Sequence, residues 1–243
     1  MSLRTLSFGY LLALIVAGSA LYAQENTITA RVVLVNDSKK GKSRDASNVV
    51  VWLTPSDSAV VAATPVPQSF PLPRLIQRNK SFEPHVLVVR VGSLVEFPNR
   101  DPFFHNVFSL FEGKRFDLGL YEAGTTRNVL FDKPGISYIF CNIHPEMSAV
   151  VLALNTPYYG ISDRQGQVII PAVAPGHYTL RIWYEATLPE RLNAMAREVT
   201  ISEGTSTLGL FQLPTTSLPE EHKNMYGHDY PPPNPDSPAY GRP

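Results

Sequence analysis

Phe140-Cys141-Asn142-Ile143-His144-Pro145-Glu146-Met147 places a thiol, an imidazole and a thioether at three-residue intervals, directly after the β-rich run Ile136 to Phe140. A strand that ends at Cys141 and turns back on itself aims these three side chains at one point. A second imidazole, His105, stands upstream beside Asn106 at the end of an apolar run and must come from a different strand. Two histidines and one cysteine in a trigonal plane, with a long axial methionine, are the donors of a mononuclear type 1 copper centre. The candidate metal ligands are therefore His105, Cys141, His144 and Met147. Soft sulfur favours Cu(I) and imidazole serves both oxidation states, so a mixed set held by the protein limits rearrangement when one electron moves.

Two stretches carry a resemblance to a known family. Cys141-x-x-His144-x-x-Met147 is similar to the short ligand loop of the cupredoxins of the plastocyanin and amicyanin type. Val95-Glu96-Phe97-Pro98-Asn99-Arg100-Asp101, followed by Pro102-Phe103-Phe104-His105-Asn106-Val107, resembles the strand and loop that deliver the first histidine there. The likeness covers about Ser81 to Leu154. It implies a blue-copper carrier in which His105, Cys141, His144 and Met147 are the ligands. It also implies that the Asn106 backbone N–H donates to the Cys141 sulfur while its side chain pins the ligand loop, contacts of a kind that tune a metal site. Ile143 departs from the proline usual before the histidine, which bears on loop rigidity and potential rather than on the metal.

Taken singly, each ligand has a plainer reading: a lone cysteine is usually a small buried hydrophobe, a lone histidine is structural, and Met147 fills a core. The spacing together with His105-Asn106 weighs against those readings. A multicopper oxidase sets histidines on either side of its cysteine, whereas Phe140 and Asn142 stand here. A binuclear centre with bridging thiolates needs two cysteines and the chain has one. Structural zinc sites take closed Cys and His sets without methionine, so weak zinc occupancy stays open but copper fits better. No G-x-S-x-G, H-E-x-x-H or phosphate-loop motif is present, and the chain reads as a non-enzyme.

Residues 1–23 read as a signal peptide: a basic start at Arg4, an apolar run from Phe8 to Ala20 too short for a comfortable membrane span, then small residues. Cleavage after Ala23, or after Ala20, leaves a periplasmic or secreted protein with no stable membrane span; an uncleaved anchor is the other reading. One cysteine allows no intramolecular disulfide, and copper ligation would keep that thiol from oxidising outside the cell. Lysine plus arginine and aspartate plus glutamate are both 21, so no basic field argues for nucleic acid.

The expected fold class is all-β, a Greek-key cupredoxin sandwich plus a second small β-sandwich. N-terminal strands fall in 24–63, with Thr27 to Val35 and Asn48 to Leu53 able to pair as a hairpin. A proline-rich linker spans Ala62 to Arg74. The cupredoxin domain occupies 64–155 and a β-sandwich module 156–213. In that module Asp163-x-x-Gly166 is a hairpin turn, and with Pro175-Gly176-x-Tyr178-x-Leu180 it resembles carboxypeptidase regulatory-like modules, which implies an interaction role without catalysis. Strands 27–53 belong to either unit. The tail 214–243, with Pro231-Pro232-Pro233, has too little apolar content to fold alone and reads as disordered, its His222, Met225 and His228 solvated.

Two functions are compatible with these features. One is an electron carrier cycling Cu(I) and Cu(II) between redox protein partners, docking them around an exposed His144 edge lined by Pro145 and Phe103-Phe104. The other is a non-redox copper-holding or scaffold protein built on two β-modules.

Overall fold

A computed structural model of the chain describes residues 26–35, 45–56, 71–110, 113–217 and 222–230. The expected signal peptide and most of the proline-rich linker lie outside the described residues.

The chain builds a nearly all-β architecture of two packed halves. Among the described residues, sixteen strands follow one another: β1 (Asn26–Val35), β2 (Val50–Pro55), β3 (Ile76–Arg78), β4 (Ser81–Glu83), β5 (Val86–Arg90), β6 (Ser93–Pro98), β7 (His105–Ser109), β8 (Phe116–Tyr121), β9 (Thr126–Phe131), β10 (Gly135–Cys141), β11 (Ser148–Leu154), β12 (Tyr159–Ile161), β13 (Gln167–Val173), β14 (Gly176–Trp183), β15 (Arg197–Ile201) and β16 (Thr207–Pro214). A six-residue helix, α1 (Pro189–Ala194), interrupts them before β15. Among the described residues it is the one departure from the all-β expectation, and it begins with Pro189, whose fixed φ suits a first helical turn.

In the first half, β5-β11-β10-β7-β8 form a sheet in which β5 and β11 run parallel. The β6–β9 pair and the β3–β4 hairpin lie outside that sheet. Val95, Phe97, Phe131, Ile139 and Val151 fill the core beneath, together with Cys141 and Met147. The apolar run Ser148–Leu154 explains the junction between halves. A strand places alternate residues on opposite faces, and a strand covered on both faces reads as a continuous apolar run. Ala149, Val151 and Ala153 enter the core that holds Cys141, while Val150, Leu152 and Leu154 face the other way and pack with Val50 and Trp183 of the second half.

The second half is a sandwich of a three-stranded sheet, β13-β1-β16, and a four-stranded sheet, β12-β2-β14-β15. β1 alternates strictly: Ile28, Ala30 and Val32 point into the core and Thr29 and Arg31 point out. The N-terminal strands thus belong wholly to this half. They do not pair with each other as a hairpin. β1 bonds to β13 and β16, whereas β2 bonds to β12 and β14 in the opposite sheet. Burying β1 and β2 face to face covers both apolar faces, which an isolated two-stranded hairpin leaves wet. For the same reason β12 and β13 are not a hairpin but pass from one sheet to the other. The turn between them is nonetheless built as its residues suggest. Asp163 Oδ1 accepts the Gln165 and Gln167 N–H groups, and Gly166 adopts φ +77° where a Cβ would strike the Val32 carbonyl.

The tail differs most from expectation. Pro214 ends β16, Thr215 and Thr216 bond to Val35 and Ala186, and residues 222–230 lie against the first half. Hydrogen bonds to a formed surface order what this sequence could not order by itself, so 214–217 and 222–230 are seated on the folded body, and the remainder of the expected disordered tail, 218–221 and 231–243, lies outside the described residues.

Candidate metal centre

His105 opens β7 because the preceding loop is held from inside. Asn99 Nδ2 donates to the carbonyls of Phe103 and Tyr121, and the Asp101 N–H donates to Asn99 Oδ1. The neighbouring strand β10 delivers Cys141 opposite Val107. The chain then turns tightly: Met147 N–H donates to the His144 carbonyl, and Cys141 N–H to the Met147 carbonyl. These bonds turn the loop inward, as the three-residue spacing requires.

The result is a cluster in which one donor atom each of His105, Cys141 and His144 lies within 4.8 Å of the others, the single such group of histidine, cysteine or acidic donors among the described residues. Cys141 Sγ stands 3.6 Å from His105 Nδ1 and 3.4 Å from His144 Nδ1. Metal bonds of about 2.0–2.3 Å at about 120° would separate sulfur and nitrogen donors by about 3.6 Å. Both sulfur–nitrogen separations therefore fit a three-coordinate ion. His105, Cys141 and Met147 are fully buried and His144 is 4% exposed. Met147 lies in the same core as Cys141.

The electrostatics suit a metal. Burial drives His144 down to about 4, helped by the neighbouring His105 and Lys80 charges. Burial also lowers His105, outweighing its bond to Asp101. Both rings are thus neutral at neutral pH, the form that ligates. Burial raises the Cys141 thiol, opposed by the backbone N–H groups of Asn106, Ile143 and His144. Three donors directed at one sulfur favour a thiolate once a cation is present to stabilise it.

Asn106 acts through its backbone more than its side chain. Its N–H reaches the Cys141 sulfur and its carbonyl accepts the Asn142 N–H at 3.2 Å. The side chain does not pin the ligand loop, because its Nδ2 donates to Asp117 Oδ1 at 2.7 Å on β8. His144 likewise differs from expectation: its edge is covered rather than exposed. Phe103 packs 5.6 Å from its ring and 5.3 Å from that of His105, shielding both from solvent. Phe104, next to His105 in the chain, is 55% exposed, and Leu120, paired with Asn106, is 60% exposed.

Sequence reasoning missed two groups. Asp101 Oδ2 bonds to His105 Nε2 at 2.8 Å, and its carboxylate also accepts the Asn79 and Lys80 N–H groups at 2.6 and 3.0 Å. The acidic residue four positions before the histidine is the signal that could have found it. Tyr230 donates to the Cys141 carbonyl at 2.8 Å across 89 residues, a contact with no local signature. His85 faces the second half, bonding to Glu185 at 2.6 Å.

No family model matches this chain, and neither does any curated protein. Solved structures do match parts of it. The novel purple cupredoxin from Nitrosopumilus maritimus is 22% identical over 34% of this chain and 99% of its own, with a TM-score of 0.31. A methionine-to-alanine mutant of amicyanin in its Cu(I) form is 17% identical over 43% of this chain and 98% of its own, at 0.33. The Cu-containing nitrite reductase from Thermus scotoductus SA-01 is 25% identical over 51% of this chain, which spans 28% of that enzyme, also at 0.33. These three structures do not bear on the carboxypeptidase regulatory-like likeness of the second half.

Proposed function

We propose that this chain binds one copper ion as a type 1 centre and carries single electrons between redox protein partners, in the periplasm or outside the cell. The observation that carries the reading is the convergence of two imidazole Nδ1 atoms on one buried thiol at 3.4 and 3.6 Å. His105, Cys141 and His144 would hold the ion, with the Met147 thioether as the weak fourth donor. Copper supplies a one-electron couple that no side chain here offers. The protein's part is to keep both rings neutral, to direct three N–H groups at the sulfur, and to exclude water by packing Phe103 over the histidines. Phe104 and Leu120 form the apolar surface on which a partner would dock.

The test is to add one equivalent of Cu(II) to the purified protein and record visible absorption and electron paramagnetic resonance spectra. An intense thiolate-to-copper band in the red with narrow hyperfine splitting, bleached by ascorbate and restored by an oxidant, supports the carrier. Copper bound without that band sinks it.

One observation favours the non-redox alternative. His144 is only 4% exposed, so very little imidazole edge is open for electron exit. A scaffold or copper-holding protein needs none. A blue centre that cannot be cycled at a defined potential would decide for it.

A further inference from the structure

Residues 222–230 cross the outside of the ligand loop and bond to it at three places. The His222 N–H donates to the Pro145 carbonyl at 3.2 Å. The Met225 N–H donates to Asn142 Oδ1 at 2.8 Å, and the Tyr230 hydroxyl donates to the Cys141 carbonyl at 2.8 Å. The His222 ring stacks on Phe140 with centroids 4.4 Å apart, and Tyr230 meets its edge at 5.5 Å. Each of these bonds ends on a loop residue that is, or adjoins, one of the candidate ligands Cys141 and His144. The inner side of the loop is held by the body of the protein, through Asn142 N–H to the Asn106 carbonyl. The loop is thus gripped from two sides by segments distant in sequence.

We propose that residues 222–230 are a built-in brace of the metal centre, with Tyr230 and Met225 as positioning residues that fix Cys141 and Asn142. The inference rests on the copper reading given above. A loop held only by its own turn would be free to shift as the charge on the ion changes. One pinned at the Cys141 carbonyl, the Asn142 side chain and the Pro145 carbonyl keeps its donors in place.

The experiment compares the full-length protein with Tyr230→Phe and Met225→Pro, the first removing the hydroxyl donor and the second the backbone N–H. Tyr226→Phe, at an exposed position in the same segment, is the control. In the copper-loaded proteins, each brace variant should keep one copper per chain, release it to a chelator about two- to tenfold faster, and show altered hyperfine splitting, the scale of one lost hydrogen bond. In the metal-free proteins, the Cys141 thiol should react about two- to tenfold faster with a thiol reagent in the brace variants, with melting temperature unchanged. Unaltered copper release and unaltered thiol reactivity would overturn the brace. If the parent fails to form a blue centre, the copper reading falls, and the metal-free thiol measurement still decides whether the segment holds the loop.

Discussion

Asp101 and His105 sit four residues apart and meet at 2.8 Å inside the protein, carboxylate oxygen to Nε2. Because the ring is neutral, the single proton must sit on Nε2 to make this bond, and that leaves the Nδ1 lone pair facing Cys141. The carboxylate therefore selects the tautomer that ligates. Burial alone would raise Asp101, but the Lys80 N–H, His105 and the Asn79 N–H together hold it below the usual range. Asp101→Asn should weaken Cu(II) binding by about 10- to 100-fold, measured by competition with a chelator. An unchanged affinity would show that the loop alone orients His105.

Cys141→Ala removes the one thiolate, so the intense visible band and the redox activity should disappear. Met147→Leu should keep copper and raise the reduction potential, since the weak axial donor is replaced by an apolar group of similar size. Spectroscopy and voltammetry on the two variants check both statements. A blue chromophore surviving in the cysteine variant would remove Cys141 from the site.

His85 ties the first half to the second through Glu185, and this bond chiefly raises its pKa, against some loss from burial, with a further contribution from the Ser148 carbonyl. A raised histidine stabilises the fold fully below its unfolded value, near about 6.5, and the benefit is lost as pH rises through the folded value. Stability in denaturant should therefore fall between neutral and mildly alkaline pH, modestly because the side chain is 40% exposed. Glu185→Gln should flatten that slope. An identical pH dependence in parent and variant would show that the pair is uncoupled from folding.

Leu152 is fully buried on the face of β11 turned away from the metal core, against Val50 and Trp183. Leu152→Ala should cost about 2–5 kcal/mol by denaturant titration, the range for a buried leucine cavity. The copper spectrum should stay as in the parent, because Val151 and Ala149 on the opposite face are untouched. A changed spectrum would mean that the two faces of β11 are mechanically linked.

The site was legible in the sequence to the extent that its chemistry is local. Cys141, His144 and Met147 share one tight turn, and His105 carries its family context on adjacent residues, so spacing and residue type pointed to one cluster of donors. The strands around them were legible because alternation and apolar runs are also short-range. β8 was not read as a strand. Phe116, Leu118 and Leu120 do alternate with Asp117 and Gly119, but a central glycine, here at φ +65°, weakens a strand reading.

What the sequence by itself determined is therefore the grouping of His105 with Cys141 and His144, the all-β class, and the existence of two β-rich halves, because each is written in neighbouring residues. Only the tertiary structure decided that β1 and β2 lie in opposite sheets, that Phe103 covers His144, that Asp101 faces His105 Nε2, and that 222–230 is seated on the ligand loop. Hydrogen bonds and packing between residues 89 or even 180 positions apart depend on where the folded chain brings two surfaces together. No local pattern encodes that. The tail shows the physical reason plainly: with too little apolar surface to fold alone, it gains order only from partners that the rest of the fold has already put in place.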